Sequence, residues 1–161
     1  MNSIREIMNV DVVTASEEQK LTEIIDFITE KKIGCVVVTQ GDKPTGILTK
    51  SDLIGKVLHG KKDPKKLKVK DVMTSPIITV TPEIEFGDAL GVMQSNHIKR
   101  LVVIEDEVLS GLITNADIVR TSKNINNYCK RMVFYQNIQS YVIFIFFMFA
   151  LIYFAVKFLM N

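Results

Sequence analysis

Shifted against itself by 65 positions, the chain aligns Ile4–Val57 with Val69–Ser122 without a gap. Nine of the 54 pairs are identical: Met8/Met73, Thr14/Thr79, Glu18/Glu83, Ile33/Ile98, Val37/Val102, Val38/Val103, Gly46/Gly111, Thr49/Thr114 and Asp52/Asp117. Apolar positions coincide almost throughout, as at Ile7/Val72, Leu21/Phe86, Ile25/Leu90 and Leu48/Ile113. A fixed period carrying one hydrophobic pattern means two copies of one supersecondary unit. A unit of about 55 residues buries too little apolar surface to be secure alone. The two copies are therefore expected to pack as similar sheets sharing one core, about a pseudo-twofold axis with two related clefts beside it.

Each unit reads as strand, helix, strand, strand, helix, an α/β (α+β) class. In the first, Val10–Thr14 predicts a short strand, and Ser16 with Gln19 three residues on predicts a capped helix start. Leu21, Ile24, Ile25 and Ile28 mark its apolar face. Cys35–Thr39 and Thr45–Thr49 predict a hairpin across Gln40–Lys43, followed by a short helix carrying Leu53, Ile54 and Val57. In the second, Thr81 is the expected cap, with Pro82 at the first helical position. Arg100–Ile104 and Val108–Thr114 form its hairpin, and Ile118 and Val119 lie on its last helix. Between the units His59–Lys70 holds six lysines and one aspartate. This is a solvated linker or, alternatively, a contact to phosphate or to an anionic surface. The expected divisions are 1–60, the linker 61–68, 69–124, a juxtamembrane stretch 125–140 and an apolar helix 141–160.

The sharpest motif is Gly-apolar-apolar-Thr-x-x-Asp, at Gly46–Asp52 and again at Gly111–Asp117. It falls where a strand ends and a helix begins, and free backbone N–H groups there favour anions. Threonine adds a hydroxyl, and aspartate can accept from a pair of sugar hydroxyls, a combination that suits a ribonucleotide. The same two side chains also suit a plain helix cap. Two copies in register weight the balance toward a site.

The repeat unit resembles the cystathionine-β-synthase (CBS) domain, and the pair resembles a Bateman module. The matching residues are Ile7-Met8 and Asp71-Val72-Met73-Thr74, Thr14 and Thr79, both Thr-x-x-Asp motifs, and His97–Val103. The resemblance implies an adenosine-containing ligand (AMP, ADP, ATP or S-adenosylmethionine) in the clefts between repeats, and no required cofactor. It implies that Asp52 and Asp117 hold ribose hydroxyls and that Thr49 and Thr114 approach ribose or phosphate. Thr14 and Thr79 would line the clefts. One difference between the halves bears on this: the second has Lys99-Arg100 before its central strand, where the first has Gly34-Cys35. Lys99 and Arg100 can neutralise phosphate, so one competent cleft is expected beside a weaker one.

No catalytic arrangement emerges from the residues. There is no Gly-rich phosphate loop and no nucleophile elbow. His59 and His97 lie apart from any ligand spacing typical of metals, and Cys35 and Cys129 form no C-x-x-C. With 20 Lys+Arg against 18 Asp+Glu the net charge is only +2, which argues against a nucleic-acid partner.

The end of the chain has another character. Between Tyr141 and Met160, 19 of 20 residues are apolar, Lys157 being the exception. Twenty helical residues span about 30 Å, the hydrocarbon thickness of a bilayer. Thirteen Leu, Ile, Phe and Val side chains favour insertion by roughly 4–8 kcal/mol, and Lys157 near the end can snorkel. Lys123, Lys130 and Arg131 precede the block, which places the repeats on the cytoplasmic side. A helix buried in an oligomer, a remnant of a longer membrane protein and a frame-shifted tail are the other readings of the apolar block. The sequence thus predicts a single-pass membrane-anchored, non-catalytic sensor acting on an unidentified regulated protein; the resemblance implies a homodimer through the CBS pair. The alternative is a structural adaptor with vestigial sites.

Overall fold

A computed structural model describes residues 3–121. The chain divides into two compact units, Met1–Ile118 and Val119–Asn161, and both repeats except the end of the second fall in the first. Two three-stranded sheets form it. In the first, β1 (Thr14–Ser16) runs parallel to β2 (Cys35–Gln40), which pairs antiparallel with β3 (Lys43–Thr49). In the second, β4 (Thr79–Val80), β5 (Arg100–Glu105) and β6 (Val108–Thr114) repeat that order. Helix α1 (Leu21–Glu30) links β1 to β2, and α3 (Phe86–Ser95) links β4 to β5. After β3 comes the one-turn α2 (Lys50–Asp52), which widens into a π-helical stretch, Leu53–Leu58. After β6 a helix, α4, starts at residue 115. The hairpins fall where the sequence places them, one residue longer at the end of β2 and of β5 and two longer at the start of β3.

Burial is continuous along the central strands, as a sheet covered on both faces requires, while successive side chains point to opposite faces. Val36 and Val38 join Leu21, Ile24, Ile28 and Leu48 in a first core, while Leu101 and Val103 join Phe86, Ala89, Met93 and Ile113 in a second. Val37 and Val102 lie on the opposite faces, fully buried but in neither core. The expected single core is thus two cores. What binds them is an exchange of leading segments. Ile4, with no exposure, packs in the second core, and Val69 and Val72, also fully buried, pack in the first. The backbone follows suit: the Ile4 N–H donates to the Ile84 carbonyl (3.0 Å) and the Val69 N–H to that of Gln19 (3.0 Å). Isolated bridges join Asn9 to Leu112 and Thr74 to Ile47, the same contact in each half.

Three expectations are corrected, two of them by the exchange. Ser16 and Thr81 do not cap helices. Each opens a turn, Ser16–Gln19 and Thr81–Ile84, and the helices start later, at Leu21 and Phe86, with Lys20 and Glu85 before them. The cause is that carbonyls in these turns, those of Glu17, Gln19, Pro82 and Ile84, are taken by the other half's leading segment. The first strand also begins later than Val10, because the Asn9 side chain accepts from the Asp11 N–H (3.1 Å) and turns the chain.

Among the described residues no helix is long and apolar enough to cross a membrane. The predicted span Tyr141–Met160, and the stretch 125–140 before it, lie outside them.

Candidate functional site

Strand β3 ends at Thr49, and the turn into α2 builds the first motif. The Thr49 N–H and hydroxyl both donate to Asp52 Oδ2 (2.9 and 2.5 Å), and the Asp52 N–H donates back to the hydroxyl (3.2 Å). Thr114 and Asp117 repeat the figure, at 3.1, 2.6 and 3.3 Å. Capping is therefore real in both copies. The motif glycines have a separate reason. A Cβ at Gly46 would stand 2.7 Å from Met73 Sδ and 3.1 Å from the Thr74 carbonyl. One at Gly111 would stand 3.0 Å from Met8 Sδ and 3.1 Å from the Asn9 carbonyl. Identical glycines face identical methionines because each leading segment lies against the other half's motif strand.

The first motif has partners beyond its cap. Asp52 Oδ1 accepts from the Thr74 hydroxyl (2.7 Å) and pairs with Lys56 Nζ (2.9 Å). Lys56 also donates to the Val72 and Met73 carbonyls (2.8 and 3.0 Å) and to Thr74 Oγ1 (3.0 Å). Partial burial pushes the Asp52 carboxyl up, but the hydrogen bonds from Thr49, Lys56 and Thr74 outweigh it and hold the group below the ordinary aspartate value. Four donors fill its two oxygens, the usual capacity of a carboxylate. The side chain is 12% exposed.

Above this network opens a cavity of about 370 Å³. Its polar lining includes Thr49, Ser51, Asp52 and Thr74, and Ile47, Ile77, Ile78, Ile98 and Val102 are among its apolar lining. His97, Lys99 and Arg100 supply positive charge or the capacity for it. The cavity thus joins the motif of one repeat to the cations of the other. His97 sits in the left-handed region (φ 53), as does Lys32 (φ 54) at the matching place in the first repeat. Arg100 is half-buried and, among the described residues, has no hydrogen-bond acceptor. Beside it, burial pushes the Cys35 thiol up, and the guanidinium charge opposes that rise.

Of the residues singled out from sequence, Thr49, Asp52, Lys99 and Arg100 meet here. Thr114 and Asp117 form their cap in the other half. Thr14 and Thr79 stand in β1 and β4, registered with Val37 and Val102, and are not among the lining residues. The sequence reading missed Lys56, Thr74 and His97. Lys56 stood four residues after Asp52, a legible helical ion-pair spacing; Thr74 and His97 stood among the residues that carry the resemblance but were given no site role. Among the described residues no cluster of His, Cys, Asp and Glu is placed to hold a metal ion.

Comparison with known proteins gives a consistent picture. The family model of the CBS domain matches residues 4–59 and 69–124. An uncharacterized protein of Methanopyrus kandleri is 36% identical over 120 residues, 73% of this chain and 61% of its own length. The chain therefore spans less than two thirds of that relative. Hypoxic response protein 1 of Mycobacterium tuberculosis is 30% identical over 121 residues, 74% of this chain and 85% of the relative. A crystal structure of hypoxic response protein I with two coordinated zinc ions superposes with a TM-score of 0.67 at 30% identity, covering 75% of this chain and 99% of that one. The hexameric CBS-CP12 protein of bloom-forming cyanobacteria superposes with a TM-score of 0.69 at 28% identity, over 77% of this chain and 73% of its own.

Proposed function

The chain belongs to the CBS-domain family, and from that premise we propose that it is a non-catalytic regulatory module that senses an adenosine nucleotide in the cleft between its repeats. One observation carries the reading: a single cavity gathers Thr49 and Asp52 from the first repeat with Lys99 and Arg100 from the second. Its volume, about 370 Å³, falls within the roughly 300–1,000 Å³ usual for small-molecule sites. In this reading the phosphate lies against Lys99 and Arg100, where a half-buried guanidinium gains an anion. The base takes the isoleucine walls, and the ribose meets Asp52.

Asp52 is already saturated, and that gives the sensor a mechanism. A ribose hydroxyl can donate to Oδ1 only by replacing Thr74 or Lys56. Both belong to the contact that pins residues 72–74 of the second repeat onto the first. Binding therefore trades an inter-repeat contact for a ligand contact, and the ligand favours the arrangement in which that contact is loosened. A partner protein reads the change, and two CBS pairs associate as a homodimer. Anchoring through Tyr141–Met160, with the repeats on the cytoplasmic side, completes the proposal.

Calorimetric titration of the full chain in detergent with AMP, ATP and S-adenosylmethionine tests it. Saturable binding of at least one of them, weakened by Arg100→Ala, is the expected result. No saturable heat with any of the three overturns the reading. The Thr–Asp caps, which satisfy both side chains without any ligand, favour a second reading, a structural adaptor with vestigial clefts. Intact self-association with no nucleotide response would select it.

A further inference from the structure

We propose that Gly34, which lines no part of the cavity, is a positioning residue for its anion-binding end and acts through Arg100. The inference rests on the nucleotide reading above. Gly34 immediately precedes β2, in the repeat opposite to Arg100. A Cβ built on it would stand 2.8 Å from Arg100 Nη2, 3.7 Å from Cζ and 3.9 Å from Nε. Arg100 thus reaches across to the other repeat and sets the Nη2 end of its guanidinium where a side chain at position 34 would begin.

The backbone itself does not call for glycine at this place. The positive-φ glycine among the described residues is Gly41, so the conformation at Gly34 is open to any L residue. What a side chain would cost is the space that Arg100 occupies. The atoms in the way are the far end of a flexible side chain, so the fold can yield, but only by moving the guanidinium. At the matching position the second repeat has Lys99. The two repeats have thus divided the place between them: one supplies a cation there, and the other supplies the room for its neighbour's. Among the described residues no hydrogen bond fixes the Arg100 guanidinium, so the room at Gly34 is one of the contacts that set its place at the cavity.

The test compares AMP with adenosine, which lacks the phosphate, on the full chain. Gly34→Ala is expected to weaken AMP about tenfold, the scale of one charge-assisted hydrogen bond. It should leave adenosine affinity and the thermal midpoint unchanged. In an Arg100→Ala background the same substitution should do nothing further to AMP. A general structural disturbance would lower both ligands alike and would add to Arg100→Ala. Either of those results, or undiminished AMP binding by Gly34→Ala, overturns the role given to Gly34. If the wild-type chain itself binds neither ligand, the nucleotide reading falls and takes this inference with it. Should Gly34→Ala fail to fold, the double variant with Arg100→Lys decides. Recovery of the fold, since the unbranched lysine end can avoid the new methyl, upholds the contact; continued unfolding overturns it.

Discussion

The two Thr-x-x-Asp motifs are nearly superimposable as caps, with hydroxyl-to-carboxylate distances of 2.5 Å in the first and 2.6 Å in the second. Their surroundings are not alike. Where the first has Lys56 the second has Thr121, and where Thr74 reaches Asp52 the other half offers Asn9. Lys99 and Arg100 face the first motif, whereas Gly34 and Cys35 hold the corresponding places on the other side. The difference teaches that this repeat keeps backbone geometry and lets charge drift. Turn, cap and glycine contact are demanded by the fold and occur twice. Thr49 and Asp52 recur, but the cations and the partners around them do not, so the pseudo-symmetry of the chain extends to the caps and not to the charges beside them.

The exchange of leading segments is the part of the comparison most open to attack, and it predicts the largest effects. Ile4→Ala should destabilise the chain by about 2–5 kcal/mol, the usual cost of truncating a fully buried isoleucine. The location of the damage is the sharper prediction. Hydrogen exchange should quicken in β5 and α3, far along the chain, and less in β2. Val69→Ala should do the reverse, loosening β2 and α1. Loss of protection confined to each residue's own repeat would break the exchange picture.

Much of this fold is legible from periodicity and turn chemistry, and the rest is hidden for a definable reason. The hairpins β2–β3 and β5–β6 are local: alternation, turn residues and the return strand all sit within about fifteen positions. The Thr-x-x-Asp caps are local too. Ser16 and Thr81 carried equally good local signals and are not caps, because the carbonyls beside them are claimed by chain some fifty or eighty residues away. Thr74 was invisible as a site residue on the same ground. Identities between the repeats held part of the answer. Met8/Met73 beside Gly46/Gly111 records a contact made twice, although a single sequence does not say which methionine meets which glycine.

Asp52 gives the next test. Asp52→Asn removes the charge that Lys56 and Thr74 share, an expected loss of about 1–3 kcal/mol for a charged hydrogen-bonded group. Asp117→Asn is its reference for the capping contribution. The carboxyl is held below its ordinary value when folded, so its stabilisation is present above the unfolded value, 3.8, and is lost as pH falls through the folded one. A stability profile from pH 6 to 2 should therefore decline below about pH 4, less steeply in Asp52→Asn than in wild type. Identical slopes would show that Asp52 gains nothing from its setting.

Lys56→Met sharpens the comparison by making the first motif uncharged at the place where the second has Thr121. Stability should fall by about 1 kcal/mol, as Asp52 and two carbonyls lose their donor. AMP affinity should rise severalfold, because a competitor for Asp52 has gone. Opposite signs for the two quantities are the signature of a contact that ligand must displace. A fall in both would make Lys56 a ligand group instead.

The smallest effect concerns the one identical acidic pair outside the motifs, Glu18 and Glu83. Glu18 binds Lys68 and Lys70 of the second leading segment, and Glu83 binds Arg5 of the first, each at 2.5 Å. Lys70 and Arg5 are matching positions, so the repeat preserves an ion pair between each turn and the segment laid over it. Those partners hold the Glu18 carboxyl down to about 2. Its contribution is therefore present near neutrality and lost as pH falls below the ordinary glutamate value of 4.5 toward 2. Both carboxylates are exposed, and screening by solvent and salt keeps such pairs weak. Glu18→Gln and Glu83→Gln should each shift the unfolding midpoint slightly at low salt, by similar amounts, and the shifts should vanish at high salt. A large, salt-independent loss from either one would mean that these glutamates do more than fasten the exchanged segments.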